Sequence, residues 1–501
     1  MKINITVVIL LIILTFTFTF ISCSNDSESD ITTLSTETSG EGGDTIDDSL
    51  HPNLPEMDYG NENFVILNGN VQEWMTISTI YAAEENGDSL NDAIYTRNRA
   101  VEEQFRVRIV ETTSANVKAD ATKAIIAGDN SFEFVLLTMA DAFAMTLENL
   151  AITYDEIPYI SIYNYSSDYE ITESVNTNGI TDCPWWVKNS ITDMAIANRV
   201  YFAISLFDTT HYDGVRTLFF NKKMASDFGL ENLYELVNSG RWTIEEMKTM
   251  GLTVAADVNG NGVDDEDDRY GYTSWQAIAG QSLMAGVGAP LSISKNSDDI
   301  PIFDLDQEYF ISRYEAIAIL LNDNKGFKNT LSNSGNHGGV AQFTAGNVLF
   351  YNETMSNTKN LRSMDTDFGI IPMPKYNEAQ EEYHMVAGNP YFMLVPVTNA
   401  NLERTGIIME SLAFESMNTV SKAFYDILLM GKIARDNDSE NMLNIIFNSL
   451  SFYHPIALTY VNSNITNMLD VNNRDIVSYF AANKSAVEKE IETAINKLIK
   501  E

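Results

Sequence analysis

Residues 89–113, "SLNDAIYTRNRAVEEQFRVRIVETT", decide the fold that this sequence predicts. The apolar residues of the first part recur at near-helical spacing, at Leu90, Ile94, Val101 and Phe105. This period predicts a helix over residues 89–105, and Ser89 with Asp92 three residues later predicts a capping box at its start. The helix leads directly into "VRIVETT" (107–113), a predicted strand. The stretch therefore indicates a fold in which helices and strands alternate.

The same alternation continues outward on both sides. "NFVILNG" (63–69) reads as a strand, "ANVKADATKAIIAG" (115–128) as a helix and "FEFVLLTM" (132–139) as a buried strand. This pattern predicts an α/β fold with a parallel, doubly wound sheet. Further strands are predicted within 199–208, 215–230, 347–353, 368–380 and 391–399, and helices over 403–427, over 484–500 and after the N-cap Thr243.

Length and charge narrow the class of protein. A chain of 501 residues exceeds the usual size of one domain, so two or more compact units are expected. There are 31 Lys and Arg against 70 Asp and Glu, a net charge of -39. Such a surface repels phosphate backbones, because affinity for nucleic acids depends largely on cationic side chains. Nucleic acid is therefore excluded as a partner.

The N-terminus predicts an exported protein. Lys2 is followed by an apolar run and then by Ser22-Cys23 and polar sequence. An uncleaved membrane anchor is one interpretation, but the pattern fits a secretory signal over residues 1–22 better. The tetrapeptide ending at Cys23, "FISC", resembles the bacterial lipobox, which implies that Cys23 is acylated, for example with palmitate, and becomes the first residue.

Two consequences follow for the cysteines and for the segment after the signal. Only Cys183 remains once Cys23 is lipidated, so no intramolecular disulfide forms. Cys183 is interpreted as a packed apolar residue, because no nearby His supports a nucleophile. Residues 23–60 form the lipidated cysteine and an acidic tether predicted to be disordered, and the folded body begins near residue 61.

The acidic loop "DVNGNGVDDEDD" (257–268) predicts a metal site. Its oxygen ligands fall at positions 1, 3, 5, 7, 9 and 12 of a calcium loop of the EF-hand type, with Gly262 at position 6 for the sharp turn. The predicted ligands are Asp257, Asn259, Asn261, the carbonyl of Val263, Asp265 and Asp268. A structural Ca²⁺ is expected, and the alternative is a solvated acidic turn.

Several segments together resemble one family, the extracellular solute-binding lipoproteins of bacterial ABC transporters, in the family 1 branch that mostly carries carbohydrates. Apart from the lipobox and the acidic loop, they are "NDAIYTRNRAVEEQFRVRI" (91–109), "PWW" (184–186), "LFFNKKMASDFGLENLYELVNSGRWT" (218–243) and "FGIIPMPKYNEAQ" (368–380). The resemblance runs from about residue 62 to residue 450.

The resemblance implies a two-lobed clamshell of the periplasmic-binding-protein type II, whose hinge closes around a solute. The predicted lobes are 61–212 with 351–399 and 213–350 with 400–501, with crossings near 211–216, near 350 and near 398–402. It further implies a monomer that is anchored by lipid to the outer face of the bacterial membrane and that delivers a carbohydrate to the ABC permease.

A carbohydrate site needs aromatic rings for the apolar sugar faces and polar groups for the hydroxyls. The predicted aromatic platforms are Trp185, Trp186, Trp275 and Tyr391, with Trp186 and Trp275 preferred. The predicted polar partners are Asp88, Asn91, Asp141, Asn352 and Asn389. Each Trp can instead be a core residue, and Asp88 and Asp141 can instead cap helices.

Two other classes of function stay open from the sequence. A secreted glycoside hydrolase would use a pair of carboxylates, but among 70 acidic residues such a pair carries little weight. No GxSxG, HExxH or glycine-rich phosphate loop is present, so no catalytic residue is assigned and no enzyme is expected. A surface adhesin with a structural calcium loop would also account for the lipobox and the acidic loop.

Overall fold

The computed structural model describes residues 51–499, except for 70–79, 163–182, 264, 275, 290–292, 304–306, 329–338, 362–363, 429–436 and 457–463. Its strands are β1 (Glu62–Asn68), β2 (Val107–Thr113), β3 (Phe134–Thr138), β4 (Val215–Asn221), β5 (Tyr270–Ser274), β6 (Ser294–Lys295), β7 (Pro301–Ile302), β8 (Phe327–Lys328), β9 (Val348–Thr354), β10 (Phe368–Ile371), β11 (Met385–Ala387), β12 (Tyr391–Leu394) and β13 (Leu450–Ser451).

The helices of the same residues are α1 (Ser89–Phe105), α2 (Val117–Ile126), α3 (Met139–Leu147), α4 (Lys188–Met194), α5 (Thr210–Asp213), α6 (Lys222–Asp227), α7 (Leu233–Asn238), α8 (Ile244–Val254), α9 (Gln276–Gly286), α10 (Gln307–Asp323), α11 (Val340–Thr344), α12 (Thr358–Leu361), α13 (Leu402–Asn418), α14 (Val420–Leu428), α15 (Asn437–Asn448), α16 (Asn464–Asp470) and α17 (Ile476–Ile499). Within the described residues, no helix combines the length and hydropathy needed to cross a membrane. The predicted signal over 1–22 and Cys23 lie outside these residues.

The first lobe is built on a four-stranded sheet in the order β12-β3-β1-β2. Strands β1, β2 and β3 are parallel, with Phe64 opposite Ile109, and β12 runs antiparallel to β3. Helix α1 buries the apolar residues that predicted it, and α13 and α14 pack against α1. The parallel βαβ prediction for residues 62–138 is therefore confirmed.

The second lobe is built on a seven-stranded sheet with the order β13-β11-β4-β9-β5-β8, in which β10 also pairs with β4. Strand β5 is parallel to β8 and β9, but β4 is antiparallel to β9, β10 and β11. The prediction of a purely parallel sheet is wrong here. Strand β4 is not reached through a crossover helix from a neighbour in its own sheet, so no right-handed crossover imposes a parallel direction on it.

The lobes divide the chain differently from the predicted boundaries. Residues 351–387 were assigned to the first lobe, but β9, β10 and β11 belong to the second sheet. Residues 400–428 were assigned to the second lobe, but α13 and α14 pack on α1 in the first. The crossing near 211–216 agrees with the sheets, whereas the chain returns to the first lobe between β11 and β12 rather than near 350. The crossing predicted at 398–402 is wrong, since the Asn399 side chain donates to the Glu133 carbonyl at 2.9 Å in the first lobe.

Local boundaries show where side-chain chemistry modified the predicted pattern. The N-cap of α1 is Asp88 rather than Ser89, while Thr243 caps α8 as predicted, accepting from the Glu246 amide at 3.4 Å. The helix predicted over 403–427 is interrupted at Thr419, whose φ of -118° and ψ of -81° are not helical. Residues 199–208 form no regular strand, only isolated bridges such as that of Ala203 with Met393. Cys183 is buried in the core, as predicted.

Candidate functional site

The first two crossings lie side by side and are joined by hydrogen bonds, and the chain crosses again between α14, which packs on α1, and α15, which packs on β10. The first crossing is residues 209–214, which include α5, and the second is residues 388–390. The amide of Gly388 donates to the carbonyl of Gly214 at 2.8 Å, and the amide of Tyr391 donates to the hydroxyl of Thr210 at 2.9 Å. A Cβ on Gly214 would lie 2.5 Å from the Gly388 carbonyl oxygen, so only glycine permits this approach.

A cavity of about 490 Å³ lies between the lobes and is called the interlobe cavity here. Thr192 and Asp193 of α4 line it from the side of the first lobe. The remaining lining residues come from the second lobe: Ala285, Gly288, Ile293, Lys295, Tyr309, His384, Ser451, Phe452, Tyr453 and His454. Its volume lies within the range of small-molecule sites in proteins.

Polar contacts between the lobes border this cavity. The Asp193 carboxylate accepts from the Phe452 amide at 2.8 Å, and the Lys295 ammonium donates to the Thr192 carbonyl at 2.6 Å. On the first-lobe side, the ring of Phe143 in α3 packs edge-to-face with the His454 ring, with 5.9 Å between the centroids. The cavity is therefore closed on one side by contacts that lobe opening would break.

Burial dominates the electrostatics of the cavity. It raises the pKa of Asp193 to about 6, partly opposed by the Phe452 amide and by Lys295. It lowers the pKa of His454 to about 3, so this imidazole is neutral at pH 7. His454 Nδ1 accepts from the Ile456 amide at 3.2 Å, which assigns the proton to Nε2. The cavity thus offers a neutral imidazole N–H as a donor.

Asp88 and Asn91 hold the start of α1. The Asp88 carboxylate accepts from the Leu90 and Asn91 amides at 3.1 and 2.9 Å, the geometry of an N-cap. The Asn91 side chain donates to the Glu84 carbonyl at 2.9 Å. The helix-cap alternative is confirmed for Asp88. For Asp141 the cap is Thr138, and Asp141 pairs with Lys118 at 3.6 Å instead.

Trp185 and Trp186 are core residues. Their side chains are 0% and 2% exposed, and both indole N–H groups donate to the buried carboxylate of Glu410, at 2.8 and 2.9 Å. A platform for a sugar must present a ring face to solvent before the ligand binds. The prediction of Trp186 as a platform is therefore wrong, and the core alternative is correct. The other preferred platform, Trp275, lies outside the described residues.

Asn352, Asn389 and Tyr391 occupy three different settings. Asn352 is fully buried in the second sheet, where its amide donates to the Thr217 carbonyl at 2.9 Å and accepts from the Tyr272 hydroxyl at 3.2 Å. Asn389 lies in the second crossing with a φ of +52°, a conformation that Asn tolerates. Tyr391 is 3% exposed in β12. Of the predicted ligand residues within the described part of the chain, none lines the interlobe cavity.

The acidic loop has the local geometry expected of its sequence. The Asp257 carboxylate accepts from the Gly260 and Gly262 amides at 2.6 and 2.8 Å, and both glycines have φ above +70°. The Asp268 carboxylate, 3% exposed, accepts from the Val258 and Asp265 amides at 3.1 and 3.2 Å. Both carboxylates therefore point into the loop and accept its backbone amides.

The two asparagines of the loop share one acceptor. Nδ2 of Asn259 and of Asn261 donates to the Asp265 carboxylate, at 3.2 and 2.7 Å, and the hydrogen bond from Asn261 lowers the pKa of Asp265. A cation would replace these internal bonds with the amide oxygens. Within the described residues, no three His, Cys, Asp or Glu side chains form a cluster that could hold a metal, so the predicted set depends on the two amides and the Val263 carbonyl.

Sequence reasoning missed the residues that line the interlobe cavity. Tyr309, Tyr453 and His454 lie in segments for which neither an element nor a site was predicted. The signal in the sequence concerned the first crossing instead: in "DTTHYDGVR" (208–216), charged residues and a glycine adjoin a strand that was predicted to follow a crossing.

Comparison with known proteins identifies the fold. No protein-family model matches the chain, and no characterised protein sequence matches it significantly. Among solved structures, it is similar to the sugar-binding protein MalE from Xanthomonas citri, with 11% identity, a TM-score of 0.55 and coverage of 86% of this chain and 97% of that one.

Two further structures support the same fold. An open conformation of a sugar transporter protein from Rhizobium etli gives 10% identity and a TM-score of 0.53, covering 87% of this chain and 98% of that one. UspC from M. tuberculosis gives 10% identity and a TM-score of 0.54, covering 85% of this chain and 100% of that one. The described chain therefore has the two-lobed α/β fold of periplasmic-binding-protein-like sugar-binding proteins, as predicted.

Proposed function

We propose that this chain is the extracellular substrate-binding component of an ABC importer and that it binds a mono- or oligosaccharide without converting it. The observation that carries the proposal is the interlobe cavity, about 490 Å³ in volume and bordered by contacts between the lobes. The names of the Xanthomonas citri and Rhizobium etli proteins, a sugar-binding protein and a sugar transporter, support the same class of ligand.

The proposed mechanism is closure about the first two crossings. A solute that contacts both lobes binds the closed form more tightly than the open form, so it shifts the population toward closure. The closed monomer would then present the solute to the membrane permease. Asp193 and Lys295 make hydrogen bonds between the lobes at the cavity border, and these bonds would stabilise the closed form.

Tyr309 replaces Trp185 and Trp186 as a proposed aromatic platform, and Trp275 stays a prediction. It lines the cavity and is 42% exposed, and its hydroxyl donates to the Gly288 carbonyl at 2.7 Å, which fixes the ring. The Arg313 guanidinium covers one ring face at 3.2 Å from the centroid. Support on one face leaves the other for the apolar side of a pyranose.

A melting-shift screen with mono- and oligosaccharides tests the function. A ligand should raise the melting temperature saturably and should be recovered unchanged. Tyr309→Ala should then weaken binding by about 1–3 kcal/mol, or roughly 5- to 150-fold. Tyr81→Ala is the matched control, because Tyr81 is 37% exposed and does not line the cavity. Stabilisation by other solutes alone, or conversion of the sugar, would contradict the proposal.

The lipid anchor is proposed from the sequence "FISC" that ends at Cys23. In the native bacterial host, Cys23→Ala should release the protein from the membrane fraction or leave it as an unprocessed precursor, because acylation of that thiol precedes signal cleavage. Cys183→Ala serves as the control, since that thiol is buried in the folded body. Unchanged processing and attachment of the Cys23 variant would contradict the proposal.

A structural Ca²⁺ in the acidic loop is proposed from the spacing of its ligands and from the inward Asp257 and Asp268 carboxylates. A chelator should lower the melting temperature, since a cation at 100 times its Kd stabilises the folded state by about 2.7 kcal/mol. Asp257→Asn should abolish the response to chelator. Asp267→Asn removes the same charge at a position that supplies no ligand and should keep the response. Equal responses in both variants would contradict a site in this loop.

A further inference from the structure

Two tight turns, one from each lobe, meet beside the interlobe cavity. The first is "IANR" (196–199), and the second is "NSDD" (296–299), which connects β6 to β7. The contact between residues 196–199 and residues 295–299 is called the latch here. It adjoins the cavity, because Lys295 at the end of β6 lines that cavity.

Each turn is attached to its own lobe. The carbonyl of Val200, directly after the first turn, accepts from the Tyr154 amide at 2.8 Å, and the Tyr154 hydroxyl donates to a carbonyl of β12 at 2.7 Å. Phe303, directly after β7, packs against Phe480, which packs against Phe310 of α10. Helix α10 contacts β8 of the second sheet. The latch therefore joins the two lobes.

The first turn turns its amides outward. Ile196 and Arg199 exchange backbone hydrogen bonds of 3.0 Å, and the two residues between them, Ala197 and Asn198, have φ of +50° and +64°. Positive φ at both central positions is characteristic of a type I′ turn, which Asn accepts more readily than Ala. The conformation of Ala197 is costly, so other contacts must hold it.

Asp299 of the second turn accepts both of these amides. The Ala197 amide donates to the Asp299 carbonyl and the Asn198 amide to its carboxylate, each at 3.0 Å. The other carboxylate oxygen pairs with the Lys295 ammonium at 2.9 Å, and that ammonium donates to the Thr192 carbonyl of the first lobe at 2.6 Å. Three hydrogen bonds thus cross between the lobes at this one hairpin, and opening would break them.

The second turn is arranged in advance for this contact. The Asn296 side chain accepts from the Asp298 and Ile300 amides at 2.9 and 3.0 Å, and the Asp299 amide donates to the Asn296 carbonyl at 3.0 Å. These bonds fix Asp299 at a φ of +56°. Little freedom is then lost when the first lobe arrives, so more of the contact energy remains to hold the lobes together.

We propose that Asp299 is a positioning residue that latches the closed form, holding the first lobe against the second without touching the solute. The inference rests on the proposed function, since the latch would control how long a saccharide stays in the interlobe cavity. A saccharide enclosed between the lobes leaves only after they open. The latch should therefore slow dissociation and leave the rate of association nearly unchanged.

Three variants isolate the Asp299 carboxylate. Asp299→Gly removes it and accepts the positive φ without strain. Asp299→Asn keeps an oxygen for the Asn198 amide and also tolerates that φ, but it loses the charge that pairs with Lys295. Asp298→Gly is the matched control, because Asp298 is an exposed acid in the same turn and makes none of the three bonds between the lobes.

Hydrogen exchange tests the latch without any sugar and uses the full chain. The Ala197 and Asn198 amides lie in a surface turn and are protected by Asp299. We expect them to exchange about 10-fold or more faster in Asp299→Gly, and at the wild-type rate in Asp298→Gly. Small-angle scattering of the sugar-free protein should show a larger radius of gyration for Asp299→Gly only.

Stopped-flow measurements then test the effect on release, with maltose, maltotriose, mannotriose and galactobiose as probes. For a sugar that binds, Asp299→Gly should raise the dissociation rate constant about 10- to 100-fold and change the association rate constant by less than about 3-fold. Asp299→Asn should raise dissociation by less than about 5-fold, since a partly exposed ion pair contributes little. A contact that serves folding alone would leave the dissociation rate constant unchanged.

The outcomes separate the latch from the function on which it rests. If exchange is unchanged in Asp299→Gly, or if exchange accelerates while sugar dissociation does not, the latch is overturned and the saccharide-binding function stands. If none of the four sugars binds and the melting-shift screen finds no other saccharide, the function is overturned. The latch then stands only if exchange and the radius of gyration both change as expected, and it is overturned if either does not.

Discussion

Replacing Glu410 by alanine is expected to lower the free energy of unfolding by about 3–5 kcal/mol, the loss that follows removal of one partner from a buried charged network. Glu410 is fully buried in α13 and accepts from the indole N–H groups of Trp185 and Trp186, and from the Ser161 amide at 3.3 Å. The variant leaves these three donors without an acceptor and opens a cavity. Denaturant unfolding monitored by tryptophan fluorescence measures the loss.

A control on the same helix isolates this network. Glu403→Ala removes an exposed carboxylate in the first turn of α13 and should cost less than about 1 kcal/mol. If both variants lose the same amount, the loss reflects helix propensity, and the network contributes nothing specific.

The pH dependence gives a second readout. Burial raises the pKa of Glu410, opposed by its hydrogen bonds from Ser161 and the two indoles. The folded state therefore binds this proton more tightly than the unfolded state does. The resulting stabilisation is complete below the unfolded pKa and is lost as pH rises through the raised folded pKa. Wild type should accordingly gain stability relative to Glu410→Gln as pH falls from 7 toward 4.

The periodic segments of the fold could be predicted from the sequence, because their apolar faces are decided locally. The helix over 89–105 has the predicted bounds, and β1, β2 and β3 follow their apolar runs. Assignment of segments to lobes failed, because a short apolar strand such as β9 carries no information about its partners. Its neighbours β4 and β5 are decided by contacts far along the chain.

The candidate site was less accessible to prediction, for a different physical reason. Asp88 and Trp186 were chosen as residue types that suit sugars, and these types are equally suited to capping a helix and to donating to a buried carboxylate. Which role a side chain takes depends on what lies within about 3 Å of it. For Trp186 that neighbour is Glu410, which is more than two hundred residues away in sequence.

The first two crossings connect the energetics of the fold to its proposed function. The Gly388–Gly214 bond joins two of the segments that connect the lobes. A change at that contact alters the free energy difference between the open and closed forms. An apparent affinity falls in proportion to the fraction of molecules that can close. Hinge variants should therefore affect binding without touching the ligand.

Gly214→Ala should show this effect most strongly. Its φ of -77° and ψ of -9° suit any residue, so the substitution introduces no backbone strain and tests the contact alone. The new Cβ would stand 2.5 Å from the Gly388 carbonyl oxygen and 3.1 Å from that of Thr210, which forces the crossings apart and breaks the 2.8 Å bond between them. We expect stability to fall by about 2–4 kcal/mol and saccharide affinity to fall about 10-fold or more.

Gly69→Ala is the matched control for that stability loss. A Cβ on Gly69 would meet Tyr391 Oη and Val117 Cγ1 at 3.5 Å, which is ordinary van der Waals contact, so the change in stability should stay within about 0.5 kcal/mol. Small-angle scattering with and without sugar then reports closure directly. Gly214→Ala can retain wild-type affinity and compact on binding as wild type does only if separating the first two crossings has no effect on closure. That result would show that these crossings do not form the hinge.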